Sequence, residues 1–145
     1  MIRVVRSGLR VSWPERRLWL RAFTLLIAAR VVLRLLPFQT AQRLLVETRT
    51  PTNPGLSPER VFWAVQSAGR FVPGTRCLAR ALVGYRLLVQ QGHDATLRVG
   101  VAKCNHNELD FHAWLEHSGR ILIGGEKSQS YSQLLTIGAD SRNPN

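Results

Sequence analysis

Residues 73–92, Pro-Gly-Thr-Arg-Cys-Leu-Ala-Arg-Ala-Leu-Val-Gly-Tyr-Arg-Leu-Leu-Val-Gln-Gln-Gly, constrain the fold more than any other stretch. Pro73 and Gly74 punctuate the lead-in, and Thr75 stands where an N-cap belongs. Leu78, Ala81, Leu82, Tyr85, Leu88 and Val89 follow at helical spacing, one apolar stripe that Gly92 closes as a C-cap glycine. Cys77 therefore lies in the first turn of a helix that must dock on a core. There the unpaired backbone N–H groups and the positive end of the helix dipole suit an anionic sulfur, and Arg76 and Arg80 add positive charge nearby. A lone cysteine is more often a small buried hydrophobe. The rest of the chain has to decide between the two roles.

At 145 residues the chain is one domain's worth and long enough to bury a core without disulfide or metal support. Two cysteines, Cys77 and Cys104, make no disulfide framework, so free thiols in a reducing, cytoplasmic setting are expected. The basic N-terminus lacks the apolar run and small-residue site of a cleavable signal. The most apolar stretch, residues 18–38, carries Arg21, Arg30 and Arg34, too many charges for a bilayer span. The formal charge of +11 is unevenly placed: residues 1–49 hold ten arginines against Glu15 and Glu47. That basic half is suited to an acidic partner.

In chain order, Pro14 opens a long amphipathic helix whose stripe is Leu18, Ala22, Leu25, Leu26, Ala29, Val32, Leu33 and Leu36, ending at Pro37. Residues 39–48 continue weakly helical, and residues 50–58, with three prolines, form a loop. Ser57 and Pro58 start another helix with Val61, Phe62, Val65 and Ala68 on its apolar face. After Gly92 the period changes to two. Ala95, Leu97, Val99 and Val101 mark one strand, and Leu109, Phe111, Ala113 and Leu115 a second. A hairpin turn at 117–119 leads to a third strand from Arg120 to Ile123, while residues 126–137 hold a short amphipathic patch around Tyr131, Leu134 and Leu135. The expected architecture is α+β in a single domain: a helical portion over 1–56, a core over 57–138 with the cysteine helix on a small antiparallel sheet, and a flexible tail over 139–145.

A nucleophilic cysteine needs an imidazole, which need not be close in sequence. His93 follows the C-cap glycine and reads as a solvated cap; His106 sits in a polar loop and His117 in a turn. Only His112 lies mid-strand, between Asp110 and Trp114 on the face opposite Phe111 and Ala113. Trp114 argues that this face lines a cleft, since an indole is wasted on open solvent. Cys77, Cys104, His106 and His112 lack the paired spacing of a zinc site, so no metal or other cofactor is expected.

The segments Val72–Leu82, Leu97-Arg98-Val99-Gly100-Val101, Phe111-His112-Ala113-Trp114-Leu115-Glu116 and Gly119-Arg120 share one further property. In this order and spacing they resemble the transglutaminase-like, papain-like leader peptidases of lasso-peptide biosynthesis. The resemblance covers roughly residues 60–125, and residues 21–38 are similar to the helical N-terminal portion of that family. It implies Cys77 as nucleophile, with its own backbone N–H in the oxyanion hole, and His112 as general base. Trp114, Arg76 and Arg80 would then contact substrate or partner. One position departs. The family places an orienting Asp on the next strand, and counting across the hairpin puts Gly124 or Gly125 opposite His112. Glu126 is the nearest following carboxylate and is expected as the third catalytic residue, with Asp110, a group other than a carboxylate, or none as the alternatives.

The implied activity is cleavage of a ribosomally made precursor peptide between leader and core. The implied partners are that leader peptide, a separate leader-recognition protein and the ATP-dependent lasso cyclase. The first 60 residues lack the several strands a built-in recognition domain would need. The competing reading is a basic, non-catalytic module for nucleic acid or an anionic membrane surface, with peripheral membrane contact at most. No nucleic-acid-binding motif supports the first of these.

Overall fold

The structure, a computed structural model, describes residues 12–46, 55–74, 77–103, 108–124 and 131–138. Four helices, α1 (Trp13–Leu35), α2 (Phe38–Val46), α3 (Pro58–Gly69) and α4 (Cys77–Gln90), precede four strands, β1 (Thr96–Lys103), β2 (Leu109–His117), β3 (Arg120–Ile123) and β4 (Ser132–Gly138). The strands form one antiparallel sheet in the order β3-β2-β1-β4, so the architecture is α+β. The tail over 139–145, Arg76, Cys104, His106 and Glu126 fall outside the described residues.

The first turn of α1 is tied down by one carboxylate. Glu15 accepts a hydrogen bond from the Ser12 N–H at 2.8 Å, the reciprocal arm of a capping box. Its other oxygen pairs with the Arg60 guanidinium of α3 at 2.5 Å. The start of α1 is thereby fixed to the start of α3, where Ser57 Oγ caps the helix by accepting from the Arg60 N–H at 3.4 Å. Inward from these caps, Leu18, Ala22, Leu26 and Ala29 of α1 meet Val61, Ala64, Val65 and Ala68 of α3 in one buried cluster. The chain leaves α1 through Leu36, held extended (φ −116°, ψ 152°) as a residue before proline must be.

Helix α4 is buried more widely than its single stripe predicts. Val83 and Leu87 are as inaccessible as Ala81, Leu82 and Leu88, because α1, α2 and α3 cover one side of α4 and the sheet covers the other. On the sheet side the approach is close at Gly84. A Cβ there would stand 2.8 Å from Ile123 Cδ1 and 2.9 Å from Leu115 Cδ2. Leu97, Ala113, Leu115 and Ile123 complete the buried cluster from the sheet. At its far end α4 closes on Gly92 (φ +84°), with the His93 N–H reaching back to Leu88 O at 3.0 Å. His93 is not merely a solvated cap: its Nε2 bonds Leu56 O at 2.7 Å while Gln91 Oε1 accepts from the Leu56 N–H at 3.1 Å. Both polar groups of Leu56 are thus satisfied, and the lead-in to α3 is clamped to the end of α4.

The sheet differs from the expected three strands by one. Residues 132–138, anticipated as part of an amphipathic patch, pair with the free edge of β1 as β4. The adjacent Leu134 and Leu135 break the period-two pattern that marks a strand in sequence. The register accounts for them: Val99 pairs with Leu135 and Gly100 with Gln133, so Leu134 is the extra residue of a bulge and is left exposed. The β2–β3 hairpin turns through Ser118 (φ +49°) and Gly119 (φ +76°), the two positive values of a tight turn matched to strand twist.

Gly84→Val is expected to lower stability by roughly 2–3 kcal/mol, because side-chain volume placed between α4 and β2 must push apart two packed layers. Urea unfolding midpoints of the two proteins would measure this. Glu15→Gln tests the other contact and is expected to cost about 1 kcal/mol at neutral pH. The Ser12 N–H first, with the Ser12 hydroxyl and the Arg60 guanidinium, holds the Glu15 carboxyl below its ordinary 4.5 although burial opposes this. A carboxyl that is more acidic folded than unfolded stabilises fully above its unfolded value and loses that contribution as pH falls through the folded one. The stability gap between wild type and Glu15→Gln should therefore hold at neutral pH and close as pH drops below about 4.5.

Candidate active site

Cys77 opens α4 as a free, half-buried thiol. As the first residue of the helix its N–H has no intrahelical partner to meet. Three residues earlier Gly74 turns with φ +74°, and the exposed Arg30 guanidinium of α1 lies over it, 3.2 Å from where a Cβ would be. Gly74 thus lies beneath a cation supplied by α1. Arg80, one turn into α4, is directed elsewhere. It donates to Gln66 Oε1 at 3.1 Å and to Gly69 O at 3.4 Å, bolting α4 to the carbonyl end of α3 where a cation suits the dipole.

His112 lies in the middle of β2 and is half-buried. Its Nε2 is 2.6 Å from the carbonyl oxygen of Gly124. A carbonyl can only accept, so Nε2 carries the proton and, in the neutral ring, Nδ1 holds the lone pair. The imidazole neighbours two aromatics: Trp114, stacked at 6.3 Å between centroids and inclined by 24°, and Tyr131, tilted by 30° at 5.1 Å.

The surroundings of that ring are a connected polar network. Trp114 is only 5% exposed and forms a wall beside His112. Its Nε1–H donates to Glu116 Oε1 at 3.0 Å, and Glu116 Oε2 accepts from Arg98 Nε at 3.0 Å. Arg98 continues to Gln133 Oε1 at 2.9 Å, which links β1 to β4. Tyr131 donates its phenolic proton to Asp110 Oδ2 at 2.5 Å. Both carboxylates on the His112 face are therefore committed, Asp110 to Tyr131 and Glu116 to Trp114 and Arg98.

Two residues of this assembly carry a weak signal in sequence. Gly100, paired across the sheet with His112, is the close-approach point of the face. A Cβ there would sit 2.8 Å from Tyr131 Cβ and 3.0 Å from Trp114 Cζ3. A glycine inside a strand marks such an approach, and that was the available clue. Tyr131 lies just before β4, and only the folded sheet brings it to His112. Among the described residues, no hydrogen bond joins Cys77 Sγ to His112; α4 packs on the face of β2 that bears Ala113 and Leu115, opposite the face that bears His112. No group of three or more His, Cys, Asp or Glu among the described residues is placed to hold a metal ion.

A thiol at a helix start, a strand imidazole tied at Nε2 and a helix packed on a small antiparallel sheet define a class. The family model described as the transglutaminase-like superfamily matches residues 23–136. The chain belongs to that superfamily, whose fold is compatible with thiol-protease chemistry and whose members include cysteine proteases and acyltransferases. Searches of curated proteins and of solved structures found no match.

Gly100→Val should displace Tyr131 and Trp114 from the imidazole, since its branched side chain needs the volume they occupy. The His112 ring proton resonances, shifted by the two neighbouring aromatics, are expected to move toward random-coil positions. A spectrum unchanged from wild type would show that the face has room to spare.

Proposed function

We propose that the protein is a cysteine endopeptidase that removes the leader from a lasso-peptide precursor. The observation that carries this reading is the state of His112. With Nε2–H bonded to Gly124 O, the ring offers Nδ1 as a base in a chain whose free thiol opens the helix packed on the same strand. The sequence motifs around Cys77 and His112, and membership of the transglutaminase-like superfamily, support the same reading.

In this mechanism Cys77 Sγ attacks the scissile carbonyl carbon as its proton passes to His112 Nδ1. The oxyanion is held by the Cys77 N–H, aided by the helix dipole. Collapse breaks the C–N bond. His112 returns the proton to the departing amine, which is the new N-terminus of the core peptide. The leader remains as a thioester on Cys77, and a water deprotonated by His112 hydrolyses it to free thiol and leader carboxylate. The released amine is then available to an ATP-dependent cyclase, and the work is done in the cytoplasm, where the precursor is made.

The separate leader-recognition protein would dock on the helical portion ahead of residue 57. The outer face of α1 exposes Trp13, Leu20, Ile27, Val31 and Leu35, the opposite side from its core residues. Exposed Arg16, Arg17 and Arg34 border that strip. An apolar stripe framed by arginines suits a protein surface of apolar and acidic character. It suits poorly a second copy of this chain, whose charge is also +11.

The test is mass spectrometry of a lasso precursor incubated with the full chain and its leader-recognition protein. Wild type is expected to release the leader at the leader–core junction. Cys77→Ala and His112→Ala should each reduce the rate by roughly 10³-fold or more. Leader release by Cys77→Ala at the wild-type rate would sink the assignment.

A further inference from the structure

We infer that the main-chain carbonyl of Gly124 is the group that orients His112, standing where a thiol enzyme of this design would use a side-chain carboxylate or amide. This rests on the peptidase reading for its catalytic meaning, but its geometry stands without it. Four observations converge. The contact is short, 2.6 Å from His112 Nε2 to Gly124 O. The two carboxylates of the same face are occupied, Asp110 by the Tyr131 hydroxyl and Glu116 by Trp114 and Arg98. Gly124 is held at φ +78°, a conformation that L side chains rarely adopt. A Cβ at that position would lie 2.5 Å from Ala113 O and 3.3 Å from Trp114 Cα and Cβ.

The last two points turn a hydrogen bond into a positioning device. No side chain fits at residue 124, because the backbone of β2 occupies the space. The same tight approach aims the carbonyl of Gly124 at the ring one residue before Ala113. The glycine is thus required by the geometry that presents its oxygen, and the acceptor comes from the backbone because the position excludes any other. The carbonyl fixes the tautomer, with the proton on Nε2 and the lone pair on Nδ1, and fixes the ring plane against Trp114 and Tyr131. It is a positioning residue; it touches neither substrate nor reacting atoms.

The experiment uses the full chain labelled with ¹⁵N-histidine, with no precursor present, so that its outcome is independent of the peptidase assay. For wild type with the ring neutral, the nitrogen spectrum is expected to show the tautomer protonated on Nε2. Gly124→Ala is expected to replace it by a mixture of the two neutral tautomers, with the fold checked by circular dichroism. In the cleavage assay the same variant should lower kcat by roughly 10- to 100-fold while KM changes little, because ring orientation matters most in the transition state. A wild-type spectrum with the proton on Nδ1 overturns the inference whether or not Gly124→Ala folds. So does loss of the Nε2-protonated pattern in Glu126→Gln, which would assign the role to that carboxylate. If wild type fails to cleave the precursor yet shows the Nε2-protonated ring, the peptidase reading falls and the role of Gly124 in setting the ring survives.

Discussion

The close approach of α4 to the sheet at Gly84 is the contact on which the remaining geometry depends. Leu115 and Ile123 reach the helix backbone because nothing projects from residue 84 to meet them. That contact sets the height of α4 above β2 and β3, and with it the position of the helix start at Cys77. A helix covered on both sides is a stiff support. Its burial is spread over Ala81, Leu82, Val83, Leu87 and Leu88, so no single side chain decides whether it docks. Its first turn, opened by the half-buried Cys77, is where backbone N–H groups lack intrahelical partners.

Behind His112 the sheet uses its two faces for different purposes. The face bearing Leu97, Ala113 and Leu115 is apolar and belongs to the core. The other, bearing Asp110, His112, Trp114 and Glu116, is held by cross-strand polar contacts that run from Trp114 through Glu116 and Arg98 to Gln133. A partly buried arginine and glutamate are tolerable there because each is hydrogen-bonded beyond the ion pair. The network ties β2, β1 and β4 together under the imidazole. A ring that must hold one orientation is thus backed by three strands.

Much of this was legible from periodicity. The stripes of α1, α3 and α4, the cap at Ser57 and the turn at 118–119 follow from spacing and local chemistry, and so did the α+β order. What sequence withheld was of two kinds. The first is burial from a second side: Val83 and Leu87 lie off the main stripe of α4, and only its central place in the fold buries them. The second is contact across long separations. The bulge at Leu134 hid β4, and with it the arrival of Tyr131 beside His112. At the site, the motifs singled out Cys77 and His112, while the third member was expected as the Glu126 carboxylate, with a group of another kind left open. A main-chain carbonyl has no signature in sequence except the glycine that permits it, and Gly124 was noticed only for what it lacks.

That lack has a physical logic. A carboxylate at residue 124 would be a third acid on a face that already carries Asp110 and Glu116, of which, among the described residues, only Glu116 is paired with an arginine. Confining another negative charge there would require either a further cation or the loss of charge on one of the three. A carbonyl supplies the same directional acceptor without that demand. It holds the imidazole through one directional contact at Nε2. Positive charge lies with the helices instead, at the start of α4 and in the Arg30 guanidinium over Gly74. The division of labour in this chain is orientation from the sheet and charge from the helices.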